Sequence, residues 1–348
     1  DGQRLASGSF DEVVRVWDVD TGECTDYLAG HVGAVNTVKW AQDGRRLLSG
    51  SEDRAVRIWD TGTGRCVREL PGHARPVWSV AWSPDGSDCL ASSSDDGTAR
   101  LWDARLSAKK GCIRTLQCYE PWLALGVPSV AWAPTARQLA AAGADGNVQL
   151  WDARAAVRLQ KLTGHFLAVF SVDWAPCGKR LASGSEDGIV KLWDPVTGHC
   201  ERTLQGNVKG VSAVAWAPNG LRIASANAGG NIKIWDPDAG KVMRTLRGHS
   251  GCVLSVAWAP DGWRLASGDS DAKLKLWNAC SRFGSGLRHN SVRHDATRYG
   301  KHLRPSTVGA FPAVRALVPE PPAQSAPRRI SRAGPRSSVG VEASSAQR

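Results

Sequence analysis

Residues 30–60 read GHVGAVNTVKWAQDGRRLLSGSEDRAVRIWD, and the rest of the chain up to about residue 280 is built on this pattern. Three segments, from Val35 to Trp40, Arg46 to Ser51 and Ala55 to Asp60, alternate apolar with small or polar residues. Alternation with a period of two predicts half-buried strands. The turn formers between the segments, Asp43-Gly44 and Glu52-Asp53, predict tight antiparallel hairpins. A fourth segment, from Gly64 to Leu70, leads to Gly72-His73, where the pattern starts again.

The Trp-Asp pair that closes this stretch recurs at 17/18, 59/60, 102/103, 151/152, 193/194 and 235/236, and Trp277-Asn278 is a near copy. The steps between these tryptophans are 42, 43, 49, 42, 42 and 42 residues, so one unit has been copied seven times. Four short strands per unit predict an all-β fold, a seven-bladed β-propeller of four-stranded antiparallel blades packed around a channel. A repeat array makes one body from units that each bury little alone, so the 348 residues need not form two domains. The metric inside the unit is strict. Fourteen residues separate the closing Trp from the His slot (31, 73, 165, 207, 249), and nine more lead to the next strand's Trp. The exception is Trp102 to Trp132, which takes 30 residues where the others take 23 and places seven extra residues between Ala104 and Gly126.

The net charge of +11 suggests nucleic acid until it is located. Residues 281–348 hold 12 Lys and Arg against 3 Asp and Glu, which leaves +2 for residues 1–280. The propeller, residues 1–280, is thus nearly neutral. The tail, residues 281–348, has no Trp and seven Pro, a composition that cannot bury a core and is expected to be disordered. It would attract nucleic acid only non-specifically, with strong screening by salt. His289, His294 and His302 in the tail are read as solvated rather than as a metal site. No run of 18 apolar residues predicts a membrane span, and no signal segment is read at the start. Nine Cys is an odd count, and Cys24, Cys66 and Cys200 take equivalent places in different units, so free thiols in a reducing compartment, cytoplasm or nucleus, are expected.

Both ends of the array look incomplete. The chain starts inside the second strand of its first unit (Gln3 to Ser9), and no convincing fourth strand follows Trp277. The seam is therefore expected to be unfinished: either the sequence is a fragment of a longer protein or the ring closes imperfectly, and the fragment is favoured because an unpaired inner edge exposes backbone groups.

On Gly30-His31, Ser83 to Gly86 (Ser-Pro-Asp-Gly), Leu181 to Ser185 (Leu-Ala-Ser-Gly-Ser) and the terminal Trp-Asp, the chain resembles the WD-repeat family over roughly residues 1–280. The resemblance implies a scaffold for protein–protein interaction and complex assembly, with no enzymatic activity, cofactor, metal or small-molecule substrate. It also implies a hydrogen-bonded tetrad inside each blade. Here the tetrads are His31, Ser49, Asp53 and Trp59; His73, Ser92, Asp96 and Trp102; and His165, Ser183, Asp187 and Trp193. A Ser, a His and an Asp together suggest nucleophilic catalysis, but a set repeated in blade after blade serves a frame. Three blades depart from it and are expected to be softer. The fourth has Cys118 nearest the His slot and Ala141 for Ser, the sixth has Asn207 for His and Gly229 for Asp, and the seventh ends in Asn278.

Specificity must then come from positions that vary. The resemblance implies two such sets at the mouth of the channel on the top face. The residues after the first Val of each inner strand are Asn36, Trp78, Pro128, Phe170, Ser212 and Leu254; those before the tetrad Asp are Phe10, Glu52, Asp95, Ala144, Glu186, Ala228 and Ser270. Aromatic rings beside the carboxylates of Glu52, Asp95 and Glu186 would suit a peptide presenting Arg or Lys. Tyr119 and Trp122, in the insertion, would either widen this surface or replace the missing His as packing. A second signature, Trp-Asp-Ala-Arg at 102–105 and 151–154, resembles the motif of substrate receptors for a cullin-type ubiquitin ligase adaptor and singles out Arg105 and Arg154.

Overall fold

The computed structural model describes residues 2–106, 111–119, 126–279 and 291–292. The expected tail disorder and Trp122 fall outside them. The regular structure among the described residues is all β-strand, and it forms the seven blades of a propeller.

The first blade holds β1 (Arg4–Gly8), β2 (Val14–Asp18) and β3 (Cys24–Leu28). The second holds β4 (Val35–Trp40), β5 (Arg46–Ser51), β6 (Val56–Asp60) and β7 (Arg65–Leu70), and the third β8 (Val77–Trp82), β9 (Cys89–Ser94), β10 (Thr98–Asp103) and β11 (Cys112–Gln117). The fourth holds β12 (Val130–Trp132), β13 (Gln138–Ala142), β14 (Val148–Asp152) and β15 (Val157–Leu162). The fifth holds β16 (Val169–Trp174), β17 (Leu181–Ser185), β18 (Val190–Trp193) and β19 (Cys200–Leu204), and the sixth β20 (Val211–Trp216), β21 (Ile223–Asn227), β22 (Asn231–Asp236) and β23 (Lys241–Arg247). The seventh holds β24 (Val253–Trp258), β25 (Arg264–Asp269), β26 (Leu274–Asn278) and β27 (Ser291–Val292). Each sheet is a simple antiparallel meander. The expectation that no fourth strand follows Trp277 is corrected by β27, which pairs Val292 with Leu274 and Ser291 with Lys275. Sequence reading missed it because the link from β26 is longer than in other blades.

The strands are short because glycine turns cut them. Between first and second strands, Gly44, Gly86, Gly178, Gly220 and Gly262 take φ from 64° to 71°, a region closed to most side chains. The fourth blade alone uses Ala136 there, at φ 56°.

The core lies between blades rather than within them. At the junction of fifth and sixth blades, Ala182, Val190, Leu192 and Leu204 meet Val211, Val214, Trp216, Ile223 and Trp235, all buried. Close approach depends on a small residue in the second strand. A Cβ built on Gly184 would lie 2.5 Å from Val211 Cγ1 and 2.8 Å from Val214 Cγ1. We expect Gly184→Ala to destabilise the chain by about 1–2 kcal/mol through overpacking, read as a lower urea midpoint. The position holds Ala142 and Ala226 in other blades, which keeps the cost at that end of the range.

The inner strands are also stitched around the channel. Val130 N donates to Ser79 Oγ at 3.3 Å, Val172 N to Ser129 Oγ at 3.4 Å, and Val214 N to Ser171 Oγ at 3.1 Å. Trp216 N donates to Asp173 Oδ2 at 2.7 Å. Burial pushes the Asp173 carboxyl up to about 6, against the pull of that amide and of Lys39. A folded-state pKa above the unfolded value means that this group costs stability as pH rises from about 4 through 6. Asp173→Asn keeps an acceptor oxygen for Trp216 and removes the charge. It should be more stable than wild type by about 1–2 kcal/mol at pH 8, with the gain gone by pH 4, measured as urea midpoints across pH.

Candidate functional site

Hairpin register brings the start of each inner strand, the turn between second and third strands, and the end of the outer strand to one end of every blade. In the second blade, Val35 pairs with Ser51 and Val56 with Leu70. We call this the top. The tetrads lie just beneath it. His31 Nδ1 meets Asp53 Oδ2 at 2.7 Å, its Nε2 meets Ser49 Oγ at 2.6 Å, and Trp59 Nε1 donates to the same Oγ at 2.8 Å. The third and fifth blades repeat this set: His73–Asp96 at 2.8 Å, His73–Ser92 at 2.7 Å and Trp102–Ser92 at 2.8 Å; then His165–Asp187 at 2.9 Å, His165–Ser183 at 2.8 Å and Trp193–Ser183 at 2.8 Å.

The bonding fixes the tautomer. A carboxylate only accepts, so Nδ1 donates to it; Nε2 then accepts from the Ser hydroxyl, whose oxygen accepts from the indole. Burial holds His31, His73 and His165 below the usual histidine range, so each ring is neutral at pH 7. Ser49, Ser92 and Ser183 are fully buried, which keeps any substrate from their oxygens. Three copies of the Ser-His-Asp order therefore act as ties: Asp53, Asp96 and Asp187 also accept from the amides of Val32, Ala74 and Phe166 at 3.1, 3.0 and 3.2 Å.

The departing blades find substitutes. In the seventh, sequence spacing puts the tetrad carboxylate at Asp271, but His249 Nδ1 meets Asp269 Oδ2 at 2.6 Å, with Ser267 and Trp277 completing a fourth tetrad. Asp271 instead accepts from Ser250 Oγ at 2.6 Å. In the sixth, Asn227 Nδ2 donates to Asn207 Oδ1 at 3.2 Å, from the place that Asp269 holds in the seventh. In the fourth, Tyr119 donates to Asp145 Oδ1 at 2.6 Å, and Gln149 Nε2 donates to the carbonyl of Cys118 at 2.8 Å. Tyr119 is 6% exposed, so of the two roles open to it the structure gives packing; its ring is not presented at the surface.

The backbone singles out the first variable set. The ladder between first and second strands skips one residue, from Val35 to Thr37, Val77 to Ser79, Val169 to Ser171, Val211 to Ala213 and Val253 to Ser255. The skipped residues are Asn36, Trp78, Phe170, Ser212 and Leu254. A bulge re-aims a side chain out of the pleat, which is why residues at this position vary while their neighbours pack. Asn36 Nδ2 turns to the Val77 carbonyl at 3.0 Å, bridging two blades. The second set is fixed beside the first by its own amides: Glu52 N donates to the Ala34 carbonyl at 2.9 Å, Asp95 N to Pro76 at 3.1 Å, and Glu186 N to Ala168 at 2.9 Å. Glu52 and Glu186 are exposed, while Trp78, Phe170 and Leu254 are half-buried. Asp95 is also half-buried; burial pushes its carboxyl above the usual range, opposed by a hydrogen bond from Trp78. Residues from both sets thus meet in the third blade.

A third set went unread in the sequence. The residue after the His slot has its side chain outside: Val32 and Phe166, whose amides the tetrad Asp holds, are 78% and 87% exposed, and Val208 is 96% exposed. Phe10, in the second set, is 73% exposed. The available signal was an apolar residue next to a step of fourteen that recurs in five of the six connections, in a loop.

Arg105 and Arg154 lie at the opposite end, in the turns after the third strands of adjacent blades. Arg105 is 66% exposed and holds its own Asp103 at 2.7 Å. The Arg154 amide donates to Asp152 Oδ1 at 2.9 Å, and its side chain is exposed. Eight cysteines among the described residues are free thiols. The tail histidines lie outside the described residues.

The chain gives no match among curated proteins. The family model WD40, described as WD domain, G-beta repeat, matches residues 1–18, 22–60, 64–103, 110–152, 156–194, 198–236 and 240–278. Each match ends on a closing Trp-Asp or Trp-Asn; the first spans β1 and β2 and the other six span four strands each, and the chain belongs to the WD40 repeat family.

Proposed function

We propose that this chain is a non-catalytic scaffold whose top face holds a partner segment presenting Arg or Lys. The observation that carries the reading is the Trp78–Asp95 pair. A half-buried carboxylate held above its usual range gains most from a cation, which offsets the burial. The indole bonded to it is held in place and offers cation–π contact. Exposed Glu52 and Glu186 add negative charge on either side, and the Val32, Phe166 and Val208 side chains supply apolar area of the kind that interfaces cover. The near-neutral body favours protein over nucleic acid as partner. Affinity purification of the intact chain, followed by substitution of Lys and Arg in the retained segment, tests this. Loss of retention is expected, and retention of a segment stripped of cations would contradict it.

A second reading, as substrate receptor of a cullin-type ubiquitin ligase, is supported by the exposure of Arg105 and Arg154 at matching turns of adjacent blades. Charge reversal at both, followed by adaptor pull-down, separates it from the first: lost capture favours this reading, and unchanged capture removes it.

A further inference from the structure

The ladders between third and fourth strands carry a second ring of bulges. In the first six blades the register skips one residue of the outer strand: Thr25, Val67, Ile113, Leu159, Glu201 and Met243. A bulge breaks the pleat and turns the skipped side chain off it, here at the outer circumference of the ring. It also spoils the strand edge for pairing with another chain, so contact at this rim is made by side chains.

Two of the six skipped residues are satisfied at home. Thr25 Oγ1 donates to Asp26 Oδ2 at 2.8 Å, and Glu201 Oε2 meets Arg180 Nε at 2.7 Å. The other four are apolar, and three of them stand on consecutive blades: Val67 is 48%, Ile113 36% and Leu159 46% exposed. The fold does not require this, since Thr and Glu serve the same bulge in other blades. Single exposed apolar side chains are ordinary, whereas a row at one structural position of adjacent blades marks a surface that something covers. The row is also basic. Arg68 follows Val67, Arg114 follows Ile113 and Arg158 precedes Leu159, and all three are exposed. Arg114 Nη1 donates to the Ile113 carbonyl at 2.8 Å, which keeps the guanidinium over its own bulge. The three outer strands hold one carboxylate, Glu69, and Arg57 takes it at 2.9 Å. Asp103, Asp152 and Asp145 nearby are held by Arg105, Arg137 and Lys161. Among the described residues no carboxylate pairs with Arg68, Arg114 or Arg158.

We propose that the outer rim of the second, third and fourth blades is a docking surface for an acidic segment of a partner protein, with apolar residues set among its Asp and Glu. Charge complementarity names the occupant: three guanidiniums without a carboxylate form charge-assisted hydrogen bonds with one that supplies it, while Val67, Ile113 and Leu159 are covered by its apolar residues. The rim is convex. A flat partner such as a bilayer meets one bulge at a time, whereas a flexible segment follows the arc across all three. The variable sets of the top face hold Glu52, Asp95 and Glu186 and so carry the opposite sign. The two surfaces therefore select different partners, and this one does not rest on the top-face reading.

The test titrates a fluorescent peptide of six Asp-Leu-Glu repeats into the intact chain and follows anisotropy. Saturable binding is expected. It should weaken at least tenfold in a chain carrying Val67→Ser, Ile113→Ser and Leu159→Ser together, and as much in one carrying Arg68→Glu, Arg114→Glu and Arg158→Glu. A peptide with Ser in place of Leu should bind equally poorly, and Trp263→Ala, an exposed residue off the rim, should leave binding unchanged. Should a triple variant misfold, Ile113→Ser alone decides, with a loss of at least threefold expected. Absence of binding, equal binding of the Ser peptide, or full binding by the folded variants would overturn the proposal. So would phosphatidylserine vesicles that capture the chain and release it in the same variants, the result a membrane-facing rim would give.

Discussion

Trp193→Ala is expected to lower the unfolding free energy by about 3–5 kcal/mol, read as a lower urea midpoint. Trp193 is 1% exposed and packs with Val148, Leu150, Leu162 and Val169 between the fourth and fifth blades. Two costs add. Deleting the indole opens a cavity that neighbouring strands, locked in ladders on both sides, cannot close. It also removes the donor to Ser183 Oγ and the ring that meets His165 edge-on at 6.2 Å. Trp193→Phe separates the two, since it keeps most of the volume and loses the bond. Asp187→Ala, which strips partners from His165, Phe166 and Ile189, should cost about 1–3 kcal/mol. Trp263, 60% exposed, is the control and should shift stability by less than about 0.5 kcal/mol on truncation. A Trp193→Ala chain as stable as wild type would mean that the repeated Trp does not hold the blades together.

The second large effect is on binding. Trp78→Ala should weaken the partner segment recovered by affinity purification by about 2 kcal/mol, a factor of about 30, if the indole behaves as a central anchor. The residue sits on a bulge, so truncation leaves the ladder on either side intact. It also frees Asp95 from one hydrogen bond and leaves that carboxylate less well placed for a cation. Glu186→Ala acts through charge at an exposed site and should cost less, about 0.5–1 kcal/mol, with a steeper loss at low salt.

Much of the fold could be read from the chain because the fold is periodic. A closing Trp at steps of 42 to 49 residues repeats one local solution, so each blade is a check on the next. The tetrads at His31, His73 and His165 were legible for the same reason. What the repeat concealed lies where function can move to a neighbouring residue. The seventh blade recruits Asp269 instead of Asp271, and the sixth recruits Asn227, because the turn lets either position reach the slot. The Tyr119–Asp145 bond spans 26 residues, and nothing local predicts it. The strand at Ser291–Val292 was missed since its pairing comes from tertiary contact across a longer link, not from alternation. Of the proposed binding surface, the sequence supplied the positions. The bulges supply the reason for them, and the exposed Val32, Phe166 and Val208 extend the proposed surface beyond the two variable sets.

The central claim is a division of labour, in which regular positions hold the blades and re-aimed ones hold the partner. It is tested most directly by measuring both urea midpoint and partner affinity for Trp78→Ala and Trp193→Ala side by side. The account predicts that Trp78→Ala loses about thirtyfold in affinity with its midpoint unchanged, while Trp193→Ala loses stability and, where still folded, binds as wild type does. Unchanged affinity in Trp78→Ala, or a midpoint that falls as far as that of Trp193→Ala, would contradict it.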